Sequence, residues 1–246
     1  MPLAIPPELI ARLAGAQRIA VLTGAGISAE SGIPTFRDAL TGLWARYDPL
    51  QLATPEGFAR DPALVWDWYA ERRRRIAQVQ PNLGHLALAQ MEQRYPHFTL
   101  VTQNVDGLHQ RAGSRTVIEL HGNIGRVKCS RELTVVAAYA EGESPPRCPC
   151  GAWLRPDVVW FGELLPEQAM EQAEAAARNC EVFFTIGTSA EVYPAAELPM
   201  TARAAGAAVV EINPDKTPLT RHAHFVLHGP AGVVLPQLLA RMPAAA

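Results

Sequence analysis

Short apolar runs alternate with helix-like stretches along this chain, and that alternation limits its fold more than any other feature. Residues 18–22, 98–102, 117–120, 181–186, 207–212 and 225–227 read as strands. They are brief, rich in β-branched or aromatic side chains, and end in glycine or polar residues. Helix patterns lie between them, at 82–95, 166–178, 194–205 and 232–242, the last weakened by Pro236. A helix at 166–178 is supported by Pro166 at its start and Arg178 at its end, where a cation suits the helix dipole. Strand and helix repeated in this way predict an α/β fold, a doubly wound parallel sheet covered on both faces.

Two stretches interrupt the pattern. Residues 39–78 are aromatic and helix-like without a strand, and residues 127–156 carry cysteines, prolines and glycines in loops with short strands. Both are expected to be insertions that pack into a small second domain. The large domain then comprises 1–38, 79–126 and 157–246. A cleft between two domains is the natural place for a ligand.

Composition narrows the function classes. A net charge of −2 over 246 residues points to neither nucleic acid nor an anionic membrane. No apolar run has the length of a membrane span, and the first residues lack the pattern of a signal peptide. Four cysteines, at 129, 148, 150 and 180, do not form a secreted disulfide framework. A cytoplasmic location is expected.

The first strand feeds Gly24-Ala25-Gly26-Ile27-Ser28-Ala29, a G-x-G-x-x-A turn that suits a dinucleotide pyrophosphate at a helix N-terminus. The same turn also serves as a plain strand-to-helix connection. No acidic residue ends a second strand about 20 positions on, so a hydride-transferring dehydrogenase fits poorly.

Six segments together resemble the sirtuin family. They are Gly24-Ala-Gly-Ile-Ser-Ala-Glu-Ser-Gly-Ile-Pro-Thr-Phe-Arg37, Thr102-Gln-Asn-Val-Asp-Gly107, Glu119-Leu-His-Gly122, Leu154-Arg-Pro-Asp-Val-Val-Trp-Phe-Gly-Glu163, Gly187-Thr-Ser189 and Asn213-Pro-Asp215. The resemblance implies a Rossmann-like large domain and a small helical, zinc-ribbon-like one. It also implies NAD-dependent removal of acyl groups from protein lysines, with NAD as cofactor. By this resemblance His121 is the base and Asn104 a second catalytic residue. Gly24, Ala25, Gly26, Ser28, Gln103, Asn104, Asp106, Gly187, Thr188, Ser189, Asn213 and Ala231 bind the cofactor. Phe36 and Arg37, with Asp38, belong to a loop over it. Val159, Trp160, Phe161 and Gly162 form one edge, and Glu191-Val192-Tyr193 the other, between which a substrate peptide is added as a strand.

The acyl group is addressed by the stretch after Asp61-Pro62, a helix start. Tyr69 and Arg72, three residues apart, share a helix face, and a phenol with a guanidinium can hold a carboxylate. Arg73, four residues from Tyr69, meets the same spacing rule. The Tyr-x-x-Arg pattern resembles class III sirtuins, which implies Arg72 and a preference for succinyl, malonyl or glutaryl lysine, with acetyl-lysine as a second substrate.

The resemblance also raises a structural zinc, usually held by two Cys-x-x-Cys pairs. Here Cys129 begins the first pair and Glu132 takes its second position, while the second pair is contracted to Cys148-Pro149-Cys150. Cys129, Cys148 and Cys150 are the candidate ligands, with Glu132 a candidate oxygen ligand; a vestigial knuckle without metal remains the alternative. Protein ADP-ribosylation, and NAD or ADP-ribose binding without catalysis, are the competing functions. The sequence implies no obligate partner.

Overall fold

The computed structural model describes residues 4–34, 49–140 and 142–242. Phe36, Arg37 and Asp38 lie outside the described residues.

Strands β1 (Arg18–Thr23), β2 (His97–Thr102), β3 (Val117–Glu119), β6 (Val182–Ile186), β7 (Ala208–Asn213) and β8 (Phe225–His228) form one sheet in the order β3-β2-β1-β6-β7-β8. Every neighbouring pair is parallel. All six strands expected from sequence are present in it. Strand residues alternate between two buried faces, as a parallel sheet requires. Ile19, Val21, Leu100, Phe184 and Val210 pack on one side with helices α1 (Pro7–Gly15), α6 (Leu83–Glu92) and α10 (Ala231–Leu239). Ala20, Leu22, Val101, Phe183 and Val209 pack on the other with α8 (Glu167–Asn179) and α9 (Leu198–Ala204).

Helix α1 is absent from the sequence expectation. Its nine residues have a short signal, and its stability comes from burying Leu9 and Leu13, one turn apart, against the sheet. Residues 194–205 divide into a 3₁₀ turn (Ala195–Glu197) and α9, with Pro199 in the first turn of α9 where its missing N–H is harmless. Pro236 stays inside α10, whose Val234, Leu235 and Leu238 are buried.

A second sheet pairs β4 (Gly122–Cys129) with β5 (Leu154–Val158), antiparallel and bulged between Asn123 and Val127. The sequence boundaries at 126/127 and 156/157 fall inside these strands. Bulging blurs the period-two pattern by which strands are recognised. Ahead of α6 in the chain come helices α3 (Pro49–Leu52), α4 (Pro55–Arg60) and α5 (Pro62–Gln78). Asp61 caps α5 by accepting the Leu64 N–H at 3.0 Å, as the Asp-Pro start predicts. Tyr69, Trp68, Phe58, Ile124, Val158 and Trp160 share one apolar cluster, so α4 and α5 pack on the second sheet. No described helix is long and apolar enough to cross a membrane.

Candidate active site

Because the main strands are parallel, their carboxyl ends lie along one edge, and the sheet order reverses direction between β1 and β6. That reversal opens a crevice at the strand ends. The turns expected to bind cofactor fall there. Helix α2 (Gly26–Ala29) follows β1, residues 103–107 follow β2, residues 187–189 follow β6, and Asn213 ends β7. Ala231 opens α10 beyond β8; its side chain is buried, and the next N–H, of Gly232, donates to Glu30 Oε2 at 2.7 Å.

The glycines of the first turn are required by packing within the protein. Gly26 donates its N–H to Gly187 O at 2.8 Å, and a Cβ on Gly26 would meet that oxygen at 2.7 Å. Gly187 itself has φ +61, and a Cβ there would lie 2.4 Å from Ile27 N. The turns after β1 and β6 therefore touch backbone to backbone, which only glycine permits. Gln103 Nε2 donates to Thr188 Oγ1 at 3.1 Å, and Asn213 Nδ2 to Thr188 O at 2.8 Å, so the turns after β2 and β7 join the same frame. Ser189 is half-buried beside them.

Beneath this frame lies a buried polar cluster. Ser28 Oγ donates to Asp106 Oδ2 at 2.8 Å. Asn104 Nδ2 donates to Gly24 O at 3.0 Å and approaches Ser28 Oγ at 3.3 Å. Burial raises the Asp106 carboxyl above the usual range, although the Leu108 N–H and the Ser28 hydroxyl pull it down. His85 Nε2 is 3.4 Å from Ser28 Oγ, and its ring centroid is 4.9 Å from that of His109. His109 Nε2 is 2.9 Å from Thr23 Oγ1. Burial depresses both histidines, His85 to about 4 and His109, with His85 adding to the effect, to about 3. His85 and His109 were not singled out from sequence. His85 does stand at the third position after the helix cap Asn82, where its Nδ1 accepts the Asn82 N–H at 3.3 Å.

His121 follows β3. Its Nδ1 is 2.8 Å from Gln103 O. A carbonyl only accepts, so Nδ1 carries the proton and Nε2 is left as the basic nitrogen. Burial lowers the imidazole pKa, against a smaller upward pull from the Gln103 carbonyl. Gly122 behind it has φ +78, and a Cβ would sit 2.2 Å from Asp157 O. The His-Gly pair thus turns the chain sharply from the main sheet into β4.

Val159, Trp160 and Phe161 leave β5 next to His121. Their N–H groups are all engaged within the chain: Val159 to His121 O at 2.9 Å, Trp160 to Glu163 Oε2 at 2.8 Å and Phe161 to Ala53 O at 2.9 Å. Phe161 is half-exposed, Gly162 has φ +86, and Val192 and Tyr193, of the other expected edge, are exposed. Arg155 and Glu163 form a largely buried ion pair at 2.5 Å behind this segment. Both belong to the Leu154–Glu163 segment, where nothing local in the sequence pairs them.

Tyr69 and Trp160 are both 3% exposed, and Trp160 Nε1 donates to the Tyr69 phenol oxygen at 3.0 Å. Burial raises the Tyr69 pKa, so the phenol is neutral, while the nearby Arg72 guanidinium pulls the other way. Arg72 feels the field of both Tyr69 and Asp106 and lies 4.7 Å from the centroid of the Trp68 ring. Arg73 is committed elsewhere: its Nε donates to Ile124 O at 2.7 Å and its guanidinium lies over Trp66.

Cys129, Cys148, Cys150 and Glu132 bring their ligand atoms within 4.8 Å of one another; the three cysteines share an apolar cluster with Trp66, Val127 and Leu154, while Glu132 is exposed. Cys129 Sγ and Cys150 Sγ are 3.5 Å apart. Tetrahedral zinc with bonds of about 2.3 Å spaces its sulfurs by about 3.7 Å, so the donor set fits the ion. Cys180 stands apart, its thiol bonded to Ala177 O at 3.3 Å.

The Sir2 family model matches residues 24–194. The NAD-dependent protein deacylase of Ralstonia nicotianae is 55% identical over 245 residues, covering 96% of this chain and 97% of its own. The Aquifex aeolicus NAD-dependent protein deacylase is 56% identical over 212 residues, 84% of this chain and 88% of that protein. Among solved structures, a Sir2 homolog–NAD complex matches with TM-score 0.90 and 45% identity over 97% of this chain and 94% of that one. A Sir2–p53 peptide–NAD+ complex matches with TM-score 0.85 and 32% identity over 96% and 98%. A parallel sheet that reverses at β1 and β6, glycine turns locked at that reversal and a histidine at the end of β3 accompany these likenesses, and the chain belongs to the Sir2 family.

Proposed function

We propose that the protein is an NAD-dependent protein-lysine deacylase that removes succinyl or malonyl groups as well as acetyl, giving nicotinamide, O-acyl-ADP-ribose and free lysine. The observation that carries the reading is His121: a neutral, partly buried imidazole whose Nδ1–H is held by Gln103 O, leaving Nε2 basic at the crevice edge. NAD, consumed as a co-substrate, supplies the ribose carbon that the acyl oxygen attacks as nicotinamide leaves. Nε2 of His121 then takes the proton of a neighbouring ribose hydroxyl, which lets that oxygen attack the acyl carbon; the lysine amine leaves that carbon as it is protonated, and one water adds to give O-acyl-ADP-ribose. Asn104, Asp106 and Ser28 offer amide, carboxylate and hydroxyl groups to the ribose and carboxamide. Gly24, Ala25 and Gly26 accommodate the phosphates, and Gln103, Gly187, Thr188, Ser189, Asn213 and Ala231 take the rest of the dinucleotide.

The acyl-lysine peptide runs between the segments around Trp160 and Tyr193. Because the N–H groups of residues 159–161 are engaged internally, the carbonyls of this edge hold the peptide. Tyr69 and Arg72 receive the far carboxylate of a succinyl tail. In support, Arg73 is tied to Ile124 O while Arg72 shares its electrostatic field with Tyr69. We assign the small unit to helices α3–α5 with β4 and β5, and a zinc ion in it to Cys129, Cys148, Cys150 and Glu132, where it cross-links the loops.

One lysine peptide, in acetylated and succinylated forms, tests the reading with NAD while peptide mass and free nicotinamide are followed. NAD-dependent loss of both groups, faster for succinyl, is expected. Tyr69→Phe with Arg72→Met should remove most succinyl activity and spare more of the acetyl activity; equal loss on both rules out the clamp.

A further inference from the structure

Two polar side chains bracket His121 in the chain. Glu119 ends β3 on one side of it, and Asn123 lies in β4 on the other. Asn123 Nδ2 donates to Glu119 Oε1 at 2.6 Å, across the turn that carries the histidine. The amide is oriented by a second bond, since its Oδ1 accepts the Gly125 N–H at 2.8 Å. Gln110, on the short helix α7 (Leu108–Arg111), donates to the same Glu119 oxygen at 2.8 Å. Arg126 of β4 holds the other oxygen at 2.7 Å and reaches Asp157 of β5 at 2.8 Å. The Glu119 side chain is only 12% exposed, so these charge-assisted bonds form with little competition from water. One carboxylate thus ties the end of the main sheet to α7 and to the second sheet.

The Asn123 amide also meets the cofactor side. Gly107, in the turn after β2, has φ +69, and a Cβ there would stand 3.2 Å from Asn123 Nδ2. The Ile124 N–H donates to Val105 O of the same turn at 2.8 Å. That turn holds the imidazole from its other end, through Gln103 O at 2.8 Å from Nδ1.

We infer that Glu119 and Asn123 are positioning residues for the base: their hydrogen bond closes the His121-Gly122 turn and so fixes where Nε2 stands between the cofactor turn after β2 and the substrate edge at Val159. The edge is joined directly, because the Val159 N–H donates to His121 O at 2.9 Å. A displacement of about 1 Å in a group that must meet a reacting atom costs on the order of a hundredfold in rate. The inference rests on the reading that His121 is the base, and both residues act through it.

The test separates two steps. Nicotinamide leaves before His121 acts, and nicotinamide returning to the same ribose carbon expels the acyl oxygen and restores NAD. Exchange of labelled nicotinamide into NAD, with an acetyl-lysine peptide, therefore reports the step before the base, while peptide mass reports the whole reaction. His121→Ala is the reference: deacylation falls and exchange persists. Asn123→Asp keeps the side-chain size and the acceptor for Gly125 but sets a carboxylate against Glu119. It should lower kcat for deacylation about tenfold to hundredfold while exchange persists. Asn123→Ala, which adds no charge, should separate the rates in the same sense. Combining Glu119→Gln with Asn123→Asp restores a donor opposite an acceptor, in the reverse direction, and should recover most of the lost deacylation. Exchange and deacylation falling together, or a double variant no better than Asn123→Asp, overturns the positioning role and leaves His121 as the base. If His121→Ala does not separate the two rates, the base reading falls, and the bracket with it.

Discussion

Ser28 Oγ donates to Asp106 Oδ2 at 2.8 Å, and this bond joins the turn after β1 to the turn after β2 inside the protein. The carboxylate also accepts the Leu108 N–H at 2.9 Å, so its two oxygens serve two different segments. Ser28→Ala removes one donor from an oxygen with little water near it. Unfolding free energy should fall by about 1–3 kcal/mol in urea denaturation. A loss below a few tenths of a kcal/mol would mean that the turns are held apart from this bond.

The histidines behind that bond predict an acid sensitivity. His85 and His109 have folded pKa values of about 4 and about 3, below the ordinary 6.5. The unfolded chain therefore binds more protons than the folded one between those limits. Stability is complete above pH 6.5 and is lost as pH falls through the folded values, together by roughly several kcal/mol. His109→Gln should flatten the dependence of unfolding free energy on pH between 6.5 and 4. A slope identical to that of the unaltered protein would show that His109 is not buried in the neutral form.

Activity should resist mild acid for a related reason. The proposed base His121 has a pKa lowered by burial, so its basic form persists to pH values below 6.5. The acid limb of kcat/KM for deacylation is expected to have its midpoint below pH 6.5, and His121→Ala should cost about 10²- to 10⁴-fold. An acid midpoint at pH 7 or above would assign the base to another group.

Metal removal offers a separate check. The three thiols meet in an apolar cluster, with the exposed Glu132 within reach of them; the Cys150 N–H pulls the Cys148 thiol down, but burial and the two neighbouring thiols together outweigh it and push it up to about 11. A bound cation relieves that crowding by taking the thiols as thiolates. Protein purified without chelator should carry about one zinc per chain, and chelation or Cys148→Ser should lower its melting temperature. Zinc near zero in the untreated protein eliminates the assignment.

The order of strands and helices, and most of the residues gathered at the strand ends, were readable in the sequence. A strand buried on two faces needs an unbroken apolar run, and a parallel sheet needs helices between its strands; both are written locally. Turn residues such as Gly24, Gly26 and Gly187 were visible as glycines, but their contact with each other was not, since β6 follows β1 by some 160 residues and joins it only through sheet pairing. The same holds for β4 and β5, whose bulged pairing spans the cysteine loop, and for α1, which owes its stability to the sheet beneath it. Spacing along α5 left Arg72 and Arg73 equivalent. Tertiary packing separates them, because the Ile124 carbonyl takes Arg73 and buried aromatic rings surround Tyr69. The hydrogen bond from Trp160 to Tyr69 crosses 91 residues. Local sequence determines which elements form; the direction of a buried hydrogen bond depends on which groups the fold brings within about 3 Å, and only the tertiary structure decides that.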